Sequence, residues 1–306
     1  MESESEQLLD KSVDIPKSPQ PNITQVSWRF WVHNILAISA LSVAGVACRI
    51  ALLRAVKRAE IFPQATTISV NFFGSFLMGF LVTLSKFDKL YPYTFTGLTV
   101  GFCGSITTFS SWIASIMTNG NAVIEVSTGS TMPFIAYAIG RDLANSVSLW
   151  FPLEKSIPHL DQAFCYISVL IVTLFSILFG VLRGENSINF VVACALGPIG
   201  ALSRWLLCLF LNNRVLASLE NKRFRFGTLL SNLFAVIITG CLHKYNGGNS
   251  QSTNWILMGI CGSLSTVSSW VSDTVSIYTQ VSRKWAYLYC TNSVSLCVLI
   301  MIPFIN

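Results

Sequence analysis

Nine apolar segments, each about 20 residues long, run through this chain and limit what it can fold into. They lie near residues 33–53, 66–85, 93–117, 131–152, 164–182, 188–211, 226–242, 253–278 and 285–305. Because about 20 helical residues span the roughly 30 Å hydrocarbon core of a bilayer, each segment predicts a transmembrane helix. Hydrophobic residues make up 52% of the chain and charged residues 11%, whereas about a quarter of a soluble domain is charged. The sequence therefore predicts an all-α, multi-pass membrane protein of nine transmembrane helices.

The first 27 residues differ from the rest, because they are polar and interrupted by prolines. Such a segment cannot bury enough apolar surface to fold, so residues 1–27 are predicted to be a disordered tail. Lys and Arg beside the spans are more frequent on the side that holds this tail, which predicts a cytoplasmic N-terminus. The net charge of +6 comes without a basic patch interleaved with aromatics, so no nucleic-acid partner is expected.

Two short polar segments interrupt the apolar pattern and are similar to each other. GFCGSITTFSSW at 101–112 and GICGSLSTVSSW at 259–270 are identical at eight of twelve positions. Glycine, serine and threonine compete with the helical hydrogen-bond ladder, so each segment predicts a break within a membrane helix. Further matches occur in the same order: Gly45 and Arg49 with Gly200 and Arg204, Asn71 with Asn232, and NSVSL at 145–149 with NSVSL at 292–296. These matches indicate a duplicated four-span unit.

The connection between the two units predicts their relative orientation. The first unit is predicted over residues 28–153 and the second over 187–306, with 154–186 as a linker that contains one span. Four spans return the chain to its starting side and the fifth crosses again, so the second unit is expected to be inverted. Inverted repeats place a transport site near the membrane midplane, between the halves and at broken helices.

The duplicated break motif, the paired first-span arginines and the paired second-span asparagines resemble the Fluc fluoride channel family over about residues 30–306. Bacterial members of that family are four-span subunits that pair antiparallel with dual topology. Eukaryotic members fuse two such domains through a linker span. The resemblance implies a passive, fluoride-selective channel at the plasma membrane that exports fluoride and protects against fluoride toxicity. It further implies a single chain that works as a pseudo-dimer in membrane lipid and is not an enzyme.

The resemblance also implies roles for individual residues. A structural Na⁺ at the interface of the two domains would be held by the backbone carbonyls of Gly104, Thr107, Gly262 and Ser265. The fluoride pore would be lined by the aromatic residues Phe109, Trp112 and Trp270, by Asn71 and Asn232, and by Thr108, Ser110 and Ser268. Arg49 and Arg204 would lie near a pore vestibule.

The aromatic positions of the two units are not equivalent. The edge of an aromatic ring is electropositive, so two rings three residues apart on a helix can line a route for a small anion. Phe109 and Trp112 form such a pair in the first unit, whereas the second unit has Val267 before Trp270. Of the two pores that symmetry would produce, one is therefore expected to be degenerate.

Two other functions stay open as alternatives from the sequence. A proton- or sodium-coupled small-solute exporter with inverted repeats would need a titratable carboxylate in the membrane, and spans 33–53 and 188–211 contain no Asp or Glu. An intramembrane enzyme would need an activating base, and no histidine lies in the repeated motifs. The three histidines and nine cysteines also lack metal-ligand spacing. Charges within a membrane span suggest a functional role, but Arg141 and Asp142 have no counterpart in the second unit, which favours local interfacial pairing or snorkelling.

Overall fold

The computed structural model describes residues 27–59, 66–85, 91–118, 121–150, 158–183, 185–212, 224–246 and 251–305. Across these ranges all regular structure is helical, which confirms the all-α class. Eight spans are long and apolar enough to cross a membrane. The tail predicted at residues 1–27 lies outside the described part of the chain, apart from Ser27.

The first half contains four membrane spans, of which the third is interrupted. Its helices are α1 (Trp28–Arg58), α2 (Thr66–Ser85), α3 (Pro92–Thr96), a π-helical segment (Gly97–Cys103), α4 (Gly104–Ile106), α5 (Phe109–Thr118) and α6 (Ala122–Trp150). Helix α1 begins after Ser27, whose hydroxyl accepts the N–H of Arg29, and ends with Lys57 and Arg58. Both features stabilise the helix, because the first N–H groups lack helical partners and cations are favourable at the C-terminal end.

The second half has the same order of elements and follows a linker helix. The elements are the linker α7 (Pro158–Arg183), α8 (Glu185–Phe210), α9 (Phe226–Asn246), α10 (Gln251–Trp255), a π-helical segment (Ile256–Cys261), α11 (Gly262–Leu264), α12 (Val267–Gln280) and α13 (Arg283–Ile305). An interrupted span therefore occurs twice, at Pro92–Thr118 and at Thr253–Gln280.

The linker helix α7 is 26 residues long. Its described apolar stretch, His159–Leu174, is shorter than a full membrane span. Leu170, Ile171 and Leu174 on this helix are each more than half exposed, as expected for side chains that contact lipid. Eight spans are thus observed, and the ninth stays a prediction.

Helix α6 begins at Ala122, well before the start predicted at residue 131. Its first turns contain Glu125 and the polar residues 127–131, so a reading based on hydropathy misses them. The hydroxyl of Thr128 donates to the Ile124 carbonyl at 2.5 Å, and that of Ser130 donates to the Val126 carbonyl at 2.6 Å. Because these hydroxyls are satisfied by carbonyls of the preceding turn, polar residues extend α6 instead of ending it.

The two halves pack reciprocally around the interrupted spans. Helix α5 contacts α9 and α13 of the second half, and α12 contacts α2 and α6 of the first half. One buried cluster joins these helices and includes Phe109, Trp112, Val267 and Trp270, each 0% exposed. The repeated motifs therefore meet in the centre of the molecule.

Candidate functional site at the paired helix breaks

Each interrupted span breaks at the same position of its motif. Thr107 follows α4 with φ −85° and ψ 150°, and Ser265 follows α11 with φ −88° and ψ 153°. The N–H of Thr107 still reaches the Cys103 carbonyl at 3.3 Å, and the N–H of Ser265 reaches that of Cys261 at 3.0 Å. Since both residues are extended, the helical ladder stops there and resumes with α5 and α12.

The second-span asparagines replace the hydrogen bonds that the breaks remove. Asn71 Oδ1 accepts the N–H of Thr108 at 2.9 Å, and its Nδ2 donates to the Thr108 carbonyl at 3.3 Å. Asn232 makes the same pair of bonds with Thr266, at 2.8 and 3.2 Å. Both asparagines are 1% exposed. They therefore satisfy backbone groups that lipid could not, a role that the sequence interpretation of pore donors did not include.

Threonine hydroxyls then start the resumed helices. Thr108 Oγ1 accepts the N–H of Ser111 at 3.3 Å, and Thr266 Oγ1 accepts the N–H of Ser269 at 3.2 Å, as N-cap residues do. As a result, the N–H groups of Thr108, Ser111, Thr266 and Ser269 donate to side chains. In an unbroken helix they would have bonded the carbonyls of Gly104, Thr107, Gly262 and Ser265, respectively.

Hydroxyl groups connect the two breaks across the interface. Ser265 Oγ accepts the N–H of Ser110 at 3.2 Å, and Thr107 Oγ1 accepts the N–H of Ser268 at 3.3 Å. The hydroxyls of Ser265 and Thr107 in turn donate to carbonyls of their own halves, and that of Ser268 donates to Cys103 at 3.0 Å. Each half therefore contributes a cap to the other half's helix, and these hydroxyl protons are already used.

The two first-span arginines also cross the interface. Arg204 Nη2 donates to the Val100 carbonyl of the first half at 2.6 Å. Arg49 donates to the Ser105 carbonyl at 2.7 Å and, from its other terminal nitrogen, to the Met258 carbonyl of the second half. Each side chain is 1% exposed. This differs from the expected position near a vestibule, because both guanidinium groups are enclosed between the halves.

Glycines make room for these arginines. A Cβ atom at Gly104 would overlap the guanidinium of Arg204, and one at Gly262 would overlap that of Arg49. Gly45, one turn before Arg49, lies so close to the Phe102 carbonyl that a Cβ there would be 2.7 Å from it. Gly104 and Gly262 of the break motifs therefore each accommodate the arginine of the opposite half, whereas Gly45 allows close packing within its own half.

The aromatic side chains predicted to form the pore do come together. The Phe109 ring lies edge to face with Trp112 at 5.2 Å and with Trp270 at 5.6 Å between centroids. Phe134 of α6 also contacts this group, edge to face with Trp270 at 5.3 Å between centroids. Phe134 lies outside the repeated motifs, so no pattern in the sequence identified it.

The charged pair on α6 lies away from this centre. Arg141 Nε donates to Asp142 Oδ1 at 2.9 Å, and the two side chains are 47% and 65% exposed. The local ion pair predicted from the sequence is present.

These features define a helical membrane protein with two interrupted spans that meet at its centre. The chain belongs to the family described as CrcB-like protein, Camphor Resistance (CrcB), whose sequence model matches twice, at residues 36–144 and 191–303. Each match falls within one of the two predicted units, and the family resemblance is confirmed.

Several named proteins are similar to this chain. Fluoride export protein 1 of Candida albicans is 28% identical over 277 residues, which cover 75% of this chain and 68% of that protein. Fluoride export protein 1 of Saccharomyces cerevisiae is 20% identical over an alignment of 367 positions that covers 92% and 95%. The fluoride-specific ion channel FluC of Chlorobaculum tepidum is 38% identical over 97 residues, 30% of this chain and 76% of that protein. No solved structure matches the chain.

Proposed function

We propose that this protein is a passive, fluoride-selective channel that exports fluoride from the cytoplasm and protects the cell against fluoride toxicity. The observation that carries the proposal is the double match to one family, with relatives named fluoride export proteins and fluoride-specific ion channels. An inside-negative potential would drive the anion outward by about 2.3 kcal/mol per 100 mV, so no energy coupling is needed. The names of these relatives do not favour a coupled solute exporter.

The buried rings supply a route for a desolvated anion. Phe109 and Trp270 come from opposite halves, and their ring edges carry positive partial charge. In the second half Val267 occupies the position that corresponds to Phe109, and an aliphatic side chain has no such edge. The working pathway is therefore the one beside Phe109, whose ring contacts Trp270 of the opposite half, and the pathway beside Val267 is degenerate.

A structural Na⁺ would fit the carbonyls of Gly104, Thr107, Gly262 and Ser265. The fit rests on the breaks, because the N–H groups that would bond these carbonyls in a helix donate to side chains instead. When bound, the ion would be stabilised by carbonyl dipoles, although the guanidinium groups of Arg204 and Arg49, which lie beside Gly104 and Gly262, oppose a cation. A rise in unfolding temperature with sodium, absent with potassium, would support the site, and equal stability in both salts would exclude it.

The proposed arrangement is one chain in the plasma membrane, with a cytoplasmic N-terminus and two inverted units that act as a pseudo-dimer. Reciprocal packing supports the pseudo-dimer, because α5 contacts α9 and α13 while α12 contacts α2 and α6. The reciprocal caps at Thr107 and Ser265 support it as well.

Fluoride efflux from liposomes that contain the purified full-length protein tests the function. With valinomycin to clamp the voltage, a fluoride electrode should record rapid fluoride efflux, and chloride-loaded liposomes should show none. Phe109→Ala should lower efflux by about tenfold, because a ring edge is lost from the pathway. Val267→Ala should have little effect. Absence of efflux from folded protein, or the reverse pattern in the two variants, would contradict the proposal.

A further inference from the structure

The two tryptophans of the repeated motifs differ in their hydrogen bonding. Trp112 Nε1 donates to the Glu125 carbonyl at 3.0 Å. Its indole lies against Gly129, where a Cβ atom would overlap the ring. Trp270 is equally buried, at 0% exposure, but among the described residues its Nε1–H has no hydrogen-bond partner. The same residue type thus has a committed donor in one half and a free donor in the other.

A buried N–H without a partner is rare in proteins, because it has lost water and gained nothing in exchange. The aromatic rings around Trp270, those of Phe109 and Phe134, present no carbonyl or carboxylate to it. A donor of this kind inside a proposed anion pathway suits a partner that is present only during conduction. We propose that the indole N–H of Trp270 donates a hydrogen bond directly to fluoride as it passes the aromatic rings.

The helix that packs against Trp270's helix carries further unused donors. Helix α12 contacts α2, on which Thr67 and Ser75 lie one turn before and one turn after Asn71. Their hydroxyls are buried and, within the described chain, without a partner. These three side chains share one face of α2, since residues four apart lie above each other.

The two positions of α9 that correspond to Thr67 and Ser75 differ from them. Thr228, one turn before Asn232, donates its hydroxyl to Asp273 at 2.6 Å. Val236 takes the position that corresponds to Ser75. The free donors on α2 and the free indole of Trp270 therefore lie on two helices that contact each other. The location of these donors agrees with the proposed pathway beside Phe109 and Trp270. This evidence is independent of the missing ring at Val267, because it rests on different atoms.

The inference rests on the proposed fluoride conduction and adds a specific chemistry to it. A phenylalanine at this position would offer a ring edge alone, whereas Trp270 offers a ring edge and an N–H. Hydrogen bonds to a charged acceptor are about twice as strong as neutral ones. The N–H should therefore contribute to the binding of fluoride over larger anions, which cannot approach the donor as closely.

The test compares single substitutions in the full-length protein reconstituted in liposomes. Trp270→Phe keeps an aromatic ring and removes the N–H, and should lower fluoride efflux by about tenfold or more. Trp112→Phe should cause a clearly smaller loss, because its N–H is committed to Glu125. Trp205→Phe, in a separate cluster at the α1 side of α8, serves as a control that should conduct like the original protein.

Each variant is first checked for a monodisperse elution profile and for its unfolding temperature. If Trp270→Phe does not fold, benzothienylalanine at position 270 replaces the N–H by sulfur and keeps the shape of the indole. Equal efflux from Trp270→Phe and the original protein would overturn the inference, as would equal losses in Trp270→Phe and Trp112→Phe. An original protein that folds but does not conduct fluoride would instead refute the proposed function.

Discussion

At the scale of single residues, the breaks persist because side chains complete the backbone. An unbroken helix satisfies its own N–H and carbonyl groups, and lipid offers no substitute. Asn71 and Asn232 each bond one residue beyond a break, Thr108 and Thr266 respectively. The amide oxygen accepts the N–H of that residue, and the amide nitrogen donates to its carbonyl. Asparagine suits this task because it has a donor and an acceptor at equal reach.

Replacement of this amide should therefore destabilise the fold. Asn232→Ala leaves the N–H and carbonyl of Thr266 without these partners, which should lower the free energy of unfolding by about 2 kcal/mol or more. Thermal unfolding in detergent measures the change. Asn145→Ala on α6, where the side chain is exposed, is the matched control and should have little effect. Equal unfolding temperatures for the two variants would show that Asn232 does not hold the break.

At the scale of elements, the linker helix does more than connect the halves. Asp161 of α7 is 2% exposed and accepts the N–H groups of Tyr93 and Thr94 at 2.9 and 2.8 Å. Tyr91, which precedes α3, provides no side-chain cap of its own. The linker therefore supplies, from a different helix, the cap at the start of the first interrupted span, where a negative charge is also favourable.

This contact predicts that the linker stabilises the first half. Asp161→Ala removes the acceptor from buried N–H groups and should lower the free energy of unfolding by about 1 to 2 kcal/mol. Asp142→Ala, which removes an exposed carboxylate, should change it much less. The comparison is made by thermal unfolding in detergent. If both variants unfold at the same temperature, α7 acts only as a connection.

At the scale of the whole molecule, neither half completes its own centre. Thr107 and Ser265 each cap a helix of the opposite half. Arg49 and Arg204 bond carbonyls across the same interface. Such an interface favours a fused chain, because both halves are then always present in equal number and close together.

The proposed inversion of the second unit makes a direct prediction about sidedness. Segments 86–90 and 247–250 follow the second span of each unit and should lie on opposite sides of the membrane. An epitope tag inserted in one or the other segment, read by antibody binding to intact and to permeabilised cells, measures this. Variants that retain fluoride efflux qualify for the comparison. Exposure of both tags on the same side would refute the inversion.

The class of protein, the duplication and the position of the breaks could be predicted from local sequence properties alone. These follow from local properties: apolar runs can only be membrane helices, and the same polar motif interrupts the ladder in both halves. The early start of α6 does not follow from hydropathy, because this polar segment is helical, with hydroxyl groups that bond carbonyls of the preceding turn. Hydropathy alone could not show it.

The partner of each polar group, in contrast, is visible only in the three-dimensional packing. Hydrogen bonds join residues that are far apart along the chain, and no periodicity predicts such pairs. Examples are Asn71 with Thr108, Arg204 with Val100, and Asp161 with Thr94. The same holds for the tryptophans. Trp112 and Trp270 are equivalent in the repeated motif, but Trp112 alone reaches the Glu125 carbonyl. Packing between helices, which the sequence does not express locally, leaves the Trp270 donor without a partner among the residues that the structure describes.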